Sequence, residues 1–150
     1  MQRRTFMAAL VAASLALPVP VAASGIDTVE VYKTSQCGCC DKWVDLMRAS
    51  GFKVNVNVVA RTDAYRAKAG FAASLGSCHT AFVGGYGFEG HVPPSDIKRF
   101  LAQRPSAKGL VVPGMPQTSP GMDAPHGEAW DVLLVGRDNS LRTFASYPAK

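Results

Sequence analysis

Hydrophobic and polar positions alternate through Thr28-Val29-Glu30-Val31-Tyr32, the period of a half-buried strand. A polar turn, residues 33–36, follows. From Cys40 the period lengthens. Trp43, Leu46 and Met47 recur at i, i+3 and i+4, with Asp41, Lys42, Asp45 and Arg48 on the other side. That spacing predicts a helix, closed by Ser50-Gly51. Residues 52–58 alternate strictly and predict a second strand. Strand, helix and strand over about 30 residues make a βαβ unit.

The pattern continues with a short helix at 63–69, capped by Thr62 or Asp63 and stopped at Gly70, and one more turn within 71–75. Residues 80–83 read as a short apolar strand, 84–87 as a hairpin turn and 88–92 as its partner. Pro93-Pro94 opens a helix over 95–102 with Ile97, Phe100 and Leu101 on one face. A polar linker (103–108) and a short apolar segment (109–112) lead to a loop, 113–122, with two Gly-Met steps, continued by 123–128. Residues 131–135 and 141–145 flank a turn and predict a hairpin that extends the sheet. The predicted class is α/β: a thioredoxin-like βαβ…ββα order with a C-terminal Pro/Gly/Met loop and an extra β-hairpin.

The first 23 residues belong to none of these elements. Met1-Gln2-Arg3-Arg4 is a basic start, residues 6–17 are apolar except for Ser14, and 18–24 supply prolines and small residues. This is the layout of an export signal cleaved near Ala23. The apolar run falls short of the roughly 20 residues a spanning helix needs, so no membrane insertion is expected after cleavage. Arg3-Arg4-Thr5-Phe6 partly resembles a twin-arginine signal, and the general secretory route is the other reading. Both lead to a soluble exported protein. Removal of Arg3 and Arg4 lowers the formal charge from +5 to +3. Lys and Arg are scattered, so nucleic acid is not an expected partner. The mature chain of about 127 residues is expected to fold as one domain, spanning 26–147.

Candidate chemistry is concentrated in Cys37-Gly38-Cys39-Cys40, at the predicted strand-to-helix turn. A core gains little from three adjacent cysteines, so their value lies in sulfur chemistry. Cys37 and Cys40 form a C-x-x-C; helix N-terminal amides there favour thiolate. The fourth cysteine, Cys78, precedes His79. In thioredoxin-like folds the residue before the third strand faces the redox motif and is usually proline. Cys78 holds that place here, which would bring four sulfurs together. Soft thiolates select Cu(I), and clustered thiolates can bridge several such ions. Zinc ranks lower, because structural zinc sites present paired knuckles. A thiol–disulfide oxidoreductase using Cys37 and Cys40 is the alternative function. It explains the C-x-x-C but not Cys39, Cys78 or the missing proline. No substrate pocket or general base is readable, so enzymatic activity is left open.

Other candidates carry two readings each. His79 is read as a site residue beside Cys78. His91 lies on a predicted strand and is read as a group that orients a neighbouring ligand by a hydrogen bond. Met115 and Met122 are possible thioether ligands, or packing residues. His126 is expected in solvent, and Trp43 and Trp130 in the core.

Cys37-Gly38-Cys39-Cys40-Asp41-Lys42-Trp43, Ser77-Cys78-His79-Thr80-Ala81, Glu89-Gly90-His91-Val92-Pro93, Lys108-Gly109-Leu110 and the two Gly-Met steps resemble the CopG-type family of exported copper-resistance proteins. The resemblance spans about residues 26–147. It implies a thioredoxin-like fold holding several copper ions on bridging cysteines in the bacterial periplasm, with other copper-handling proteins as potential partners.

Overall fold

A computed structural model describes residues 28–150. The export segment and its cleavage at Ala23 lie outside the described residues. Among the described residues no helix is long and apolar enough to cross a membrane. The elements are β1 (Val29–Lys33), α1 (Gly38–Ala49), β2 (Val54–Val58), α2 (Asp63–Lys68), a 3-10 turn (Ala73–Leu75), β3 (His79–Val83), β4 (Tyr86–Glu89), α3 (Pro94–Gln103), β5 (Ala107–Val111), β6 (Trp130–Gly136) and β7 (Leu141–Tyr147).

The seven strands form one mixed sheet in the order β2-β1-β3-β4-β5-β6-β7. β1 is parallel to β2 and β4 to β5; the other pairs are antiparallel. Helices α1 and α3 cover one face. Trp43, Val44 and Met47 of α1 and Ile97 and Phe100 of α3 share a core with Val29, Val31, Ala81, Phe88 and Leu110. A smaller cluster of Phe71, Leu75, Val111 and Val135 packs together apart from that core. Tyr65 of α2 stacks on Tyr32 with ring centroids 3.9 Å apart.

Two expectations change. The first helix begins at Gly38, two residues earlier than its apolar period suggests, and draws Cys39 and Cys40 into its first turn. Its buried face is Cys40, Trp43, Val44 and Met47, while Leu46 is 42% exposed. Cys40 and Val44 complete the i, i+3, i+4, i+7 stripe, and Leu46 lies off it. The segment 109–112, unassigned from sequence, contains the end of β5, which lies inside the sheet. Residues 94–103 thus form the crossover helix of a second parallel connection, β4-α3-β5. The sheet is extended by β5 and the β6–β7 hairpin together.

Candidate metal centre

Strand register builds the site. β1 runs into the turn before Cys37, and its last residue, Lys33, pairs with His79, the first residue of β3. Cys78 is therefore set beside the start of α1. The turn is closed by the Cys37 amide donating to the Thr34 carbonyl at 3.3 Å and the Gly38 amide to the Gln36 carbonyl at 3.2 Å. On the other flank Thr80 pairs with Glu89, and the Gly90 amide donates to the His79 carbonyl at 2.9 Å. The chain turns at Gly90 and delivers His91 to Cys78. Gly90 has φ +72°, and a Cβ there would lie 2.5 Å from Ser77 Oγ and 2.6 Å from the Val112 carbonyl oxygen. His91 is thus in a bend after β4, not on the strand expected over 88–92.

Cys37, Cys39, Cys40 and Cys78 present sulfurs that all lie within 4.8 Å of one another. Cys40, Cys78, His79 and His91 form a second such group, sharing Cys40 and Cys78 with the first. In the described state Cys37 and Cys40 are joined as a disulfide, and Cys39 and Cys78 are free. Cys39 Sγ lies 3.6 Å from Cys37 Sγ. Cys78 Sγ is 2.9 Å from His91 Nε2 and 3.5 Å from His79 Nδ1. The remaining ring nitrogens, His79 Nε2 and His91 Nδ1, are buried without a well-formed hydrogen bond.

Burial, reinforced by neighbouring Cys39, pushes the Cys78 thiol up to about 12. At neutral pH it carries its proton, which a metal must displace. Burial also lowers His79 to about 3, helped by His91 and by Lys33. His91 falls to about 4 for the same main reason, with the nearby Pro120 carbonyl opposing the fall although Nδ1 forms no well-shaped bond to it. Both imidazoles are thus neutral in the fold but protonate near pH 6.5 when unfolded. Their contribution to stability is complete above that pH and is lost as pH falls toward 4 and then 3. Each proton adds a slope of about 1.4 kcal/mol per pH unit. The denaturation midpoint of metal-free protein should therefore fall steadily from pH 6.5 to 4.5, above the range where carboxylates dominate. His91→Gln should flatten that slope; a level midpoint in the parent protein would contradict this account.

The loop over 112–129 reaches across the site. At one end the Gly114 amide donates to the Gly76 carbonyl at 2.9 Å, and Ser77 Oγ donates to the Gly114 carbonyl. At the other end Gly121, φ +92°, lies on the first turns of α1, where an added Cβ would be 2.8 Å from the Cys39 carbonyl oxygen. Lys42 pairs with Asp123, and Trp130 Nε1 donates to Thr118 Oγ1 at 3.0 Å. Met115 is 54% exposed and Met122 is half-buried. Neither is a fully buried core plug. His126 is exposed, Trp43 is fully buried, and Trp130 is half-buried against Tyr147.

Two supporting groups were not read from the sequence. Glu89 is fully buried and accepts from the Ser77 amide (2.9 Å), Arg66 Nε (2.8 Å) and Thr80 Oγ1 (2.6 Å). Arg66 also donates to the Ser77 carbonyl at 3.2 Å. One carboxylate thereby holds the chain on both sides of Cys78-His79. Lys33, its side chain 4% exposed, pairs with Asp41 at 2.9 Å. Its burial was foreshadowed by alternation, since Val29, Val31 and Lys33 share a face. Nothing local marks Glu89.

Residues 75–122 match a family described as "Protein of unknown function, DUF411". That span includes Cys78, His79, His91 and both loop methionines. No curated protein matches. Two solved structures, both described as copper resistance protein CopG, forms 1 and 2, are 38% identical to this chain with TM-scores of 0.78. The alignments cover 83% of this chain and 99% and 100% of the two chains.

Proposed function

The chain belongs to the CopG family of copper resistance proteins, and from that premise we propose that it is a periplasmic protein that binds several Cu(I) ions on clustered cysteine thiolates. The carrying observation is the convergence of all four cysteine sulfurs within 4.8 Å. Cu(I) favours soft, low-coordinate sulfur, and a thiolate with several lone pairs can bridge two ions. Four thiolates so close together would repel one another unless cations lay between them. Loading requires two electrons and two protons to open the Cys37–Cys40 disulfide; each thiol then loses its proton to bind. His79 is an additional donor beside Cys78, His91 orients Cys78 from 2.9 Å, and Met115 and Met122 stand on the loop that borders the site. The β2-β1-β3-β4 half of the sheet, with the cysteines entering α1, supports the thioredoxin-like description. Export through residues 1–23 and handover to other periplasmic copper-handling proteins belong to the same reading.

The oxidoreductase alternative draws on one observation, the disulfide between Cys37 and Cys40 with Cys40 buried. The two readings separate on Cys78. Reduced parent protein, titrated anaerobically with Cu(I) against a chelator, should hold more than one ion per chain. Cys78→Ser and Cys39→Ser should each hold fewer while melting near the parent temperature. Retention of insulin-reducing activity by both variants, with no copper held by the parent, would reverse the assignment.

A further inference from the structure

We propose that this chain pairs with a second copy of itself along β2, an open edge of the sheet, in an antiparallel two-fold seam centred on Val56.

The strand ladder decides which backbone groups of β2 are free. β1 and β2 are parallel, with Val29 opposite Val54 and Lys33 opposite Val58. The Val29 amide donates to the Lys53 carbonyl, and the Val59 amide donates to the Lys33 carbonyl. Every second residue of a parallel strand carries the ladder bonds to one neighbour. Residues 53, 55, 57 and 59 therefore turn their backbone groups toward β1. Val54, Val56 and Val58 turn theirs away from the sheet. Among the described residues one side chain reaches that row: Arg48 Nη2 donates to the Val54 carbonyl at 3.3 Å. Val56 is 37% exposed and Val58 62%.

This edge lacks the devices that keep edges from pairing. Val54-Asn55-Val56-Asn57-Val58 has no charge, no proline and no register shift against β1. The opposite edge has such devices. β7 carries Arg142, and its register on β6 shifts between Val132 and Leu133.

The occupant follows from symmetry. The β2 sequence reads the same in both directions about Val56. A two-fold axis there sets Val56 opposite Val56, Val54 opposite Val58 of the second copy, and Asn55 opposite Asn57 of the second copy. The free groups match, because alternate residues of an antiparallel pair exchange both backbone bonds with the residue opposite. Valines then meet valines on the face that α1 covers, and no like charges oppose each other. Beside the seam the charges are complementary. Asp45 and Arg48, 3.6 Å apart, stand on the flank of α1 that reaches β2, so each copy offers the other an acid and a base. Five residues a side make a small interface against the roughly 1,000 Å² of a stable one, so association is weak and grows with concentration. The seam holds none of the four cysteines, so it stands apart from the copper function proposed above. A plainer alternative, that water covers the edge, gives no reason for a palindromic strand.

The test is sedimentation of reduced, metal-free parent protein, in which no thiol cross-links two copies. The expected mass rises with concentration from one chain toward two and goes no further. Val56→Lys sets like charges opposite each other at the axis and should weaken association by about tenfold or more while melting near the parent temperature. Thr143→Lys on β7 is the control and should associate like the parent. Isotope-edited NMR of mixed labelled and unlabelled parent chains needs no substitution, and contacts between copies should centre on Val56. A mass of one chain at every concentration up to about 1 mM overturns the proposal and leaves the edge to a foreign extended segment. Growth beyond two chains, equal association of parent and Val56→Lys, loss of association in Thr143→Lys, or contacts between copies that avoid Val56 overturns it as well.

Discussion

Glu89→Ala should cost about 3–5 kcal/mol of folding stability, the range for removing one partner of a buried ion pair. The carboxylate is fully buried, and the Arg66 side chain that faces it is 14% exposed. Alanine leaves that guanidinium with no counter-charge, and the Ser77 amide and Thr80 hydroxyl with no acceptor. Glu89→Gln keeps the shape but removes the charge and turns an amide N–H₂ toward a donor, so it should cost somewhat less. The functional readout is separate. Ser77 and Thr80 bracket Cys78-His79, so folded Glu89→Gln should release Cu(I) to a chelator more readily than the parent. Urea denaturation measures the first effect and chelator competition the second. A loss below about 1 kcal/mol for Glu89→Ala would mean that water replaces the carboxylate and that the network is not a support.

Gly109→Ala should be more damaging still. Gly109 has φ +155° and lies opposite Gly87 in the parallel β4–β5 pair. An added Cβ would overlap the Gly87 carbonyl. The obstacle is backbone in the middle of the sheet, so no rotamer change relieves it. The strands must separate, at a cost of more than about 4 kcal/mol, a large share of a stability of about 5–15 kcal/mol. Gly85→Ala is the control: φ is +80°, but nothing lies within 4 Å of its Cβ position. It should lose only the left-handed penalty of about 1–2 kcal/mol. Circular dichroism melts compare the two. A Gly109→Ala melt within a few degrees of the Gly85→Ala melt would show that β4 and β5 can shift apart cheaply.

These two residues show where sequence reading stops. The βαβ unit was legible because period 2 gives way to period 3.6 and back within a short span; β3 shows as a short apolar run and α3 by its apolar face after Pro93-Pro94, whereas β4 starts two residues before the expected strand, since Tyr86 and Gly87 pair with Val83 and Phe82 instead of completing the turn. Cys78 was legible as a member of the site through its place just before a strand. Leu46 falls on the wrong face when Cys40 is left out of the apolar stripe; counting Cys40 as apolar gives the observed helix face. The charge of Lys33 suggests a turn, whereas strand alternation points it inward, as β1 has it. β5 was not assigned because Ala107-Lys108-Gly109 has weak strand preference. The reason for its glycine is a contact with Gly87, 22 residues earlier in the chain. Glu89 and Arg66 are likewise joined only by the fold, and their separate surroundings in sequence resemble those of ordinary surface charges.

The Cys37–Cys40 disulfide spans three positions along the chain. A cross-link stabilises a protein chiefly by removing freedom from its unfolded chain, and a small ring removes little. The chain-entropy relation gives about 2 kcal/mol for a ring of this size, against about 4 kcal/mol for a bridge from Cys37 to Cys78. The bond therefore lies within a single helix start and ties no distant parts of the sheet together. The protein can open and close it while the sheet, the α1–α3 core and the Glu89 network stay folded, so its oxidation state is free to change with the surroundings.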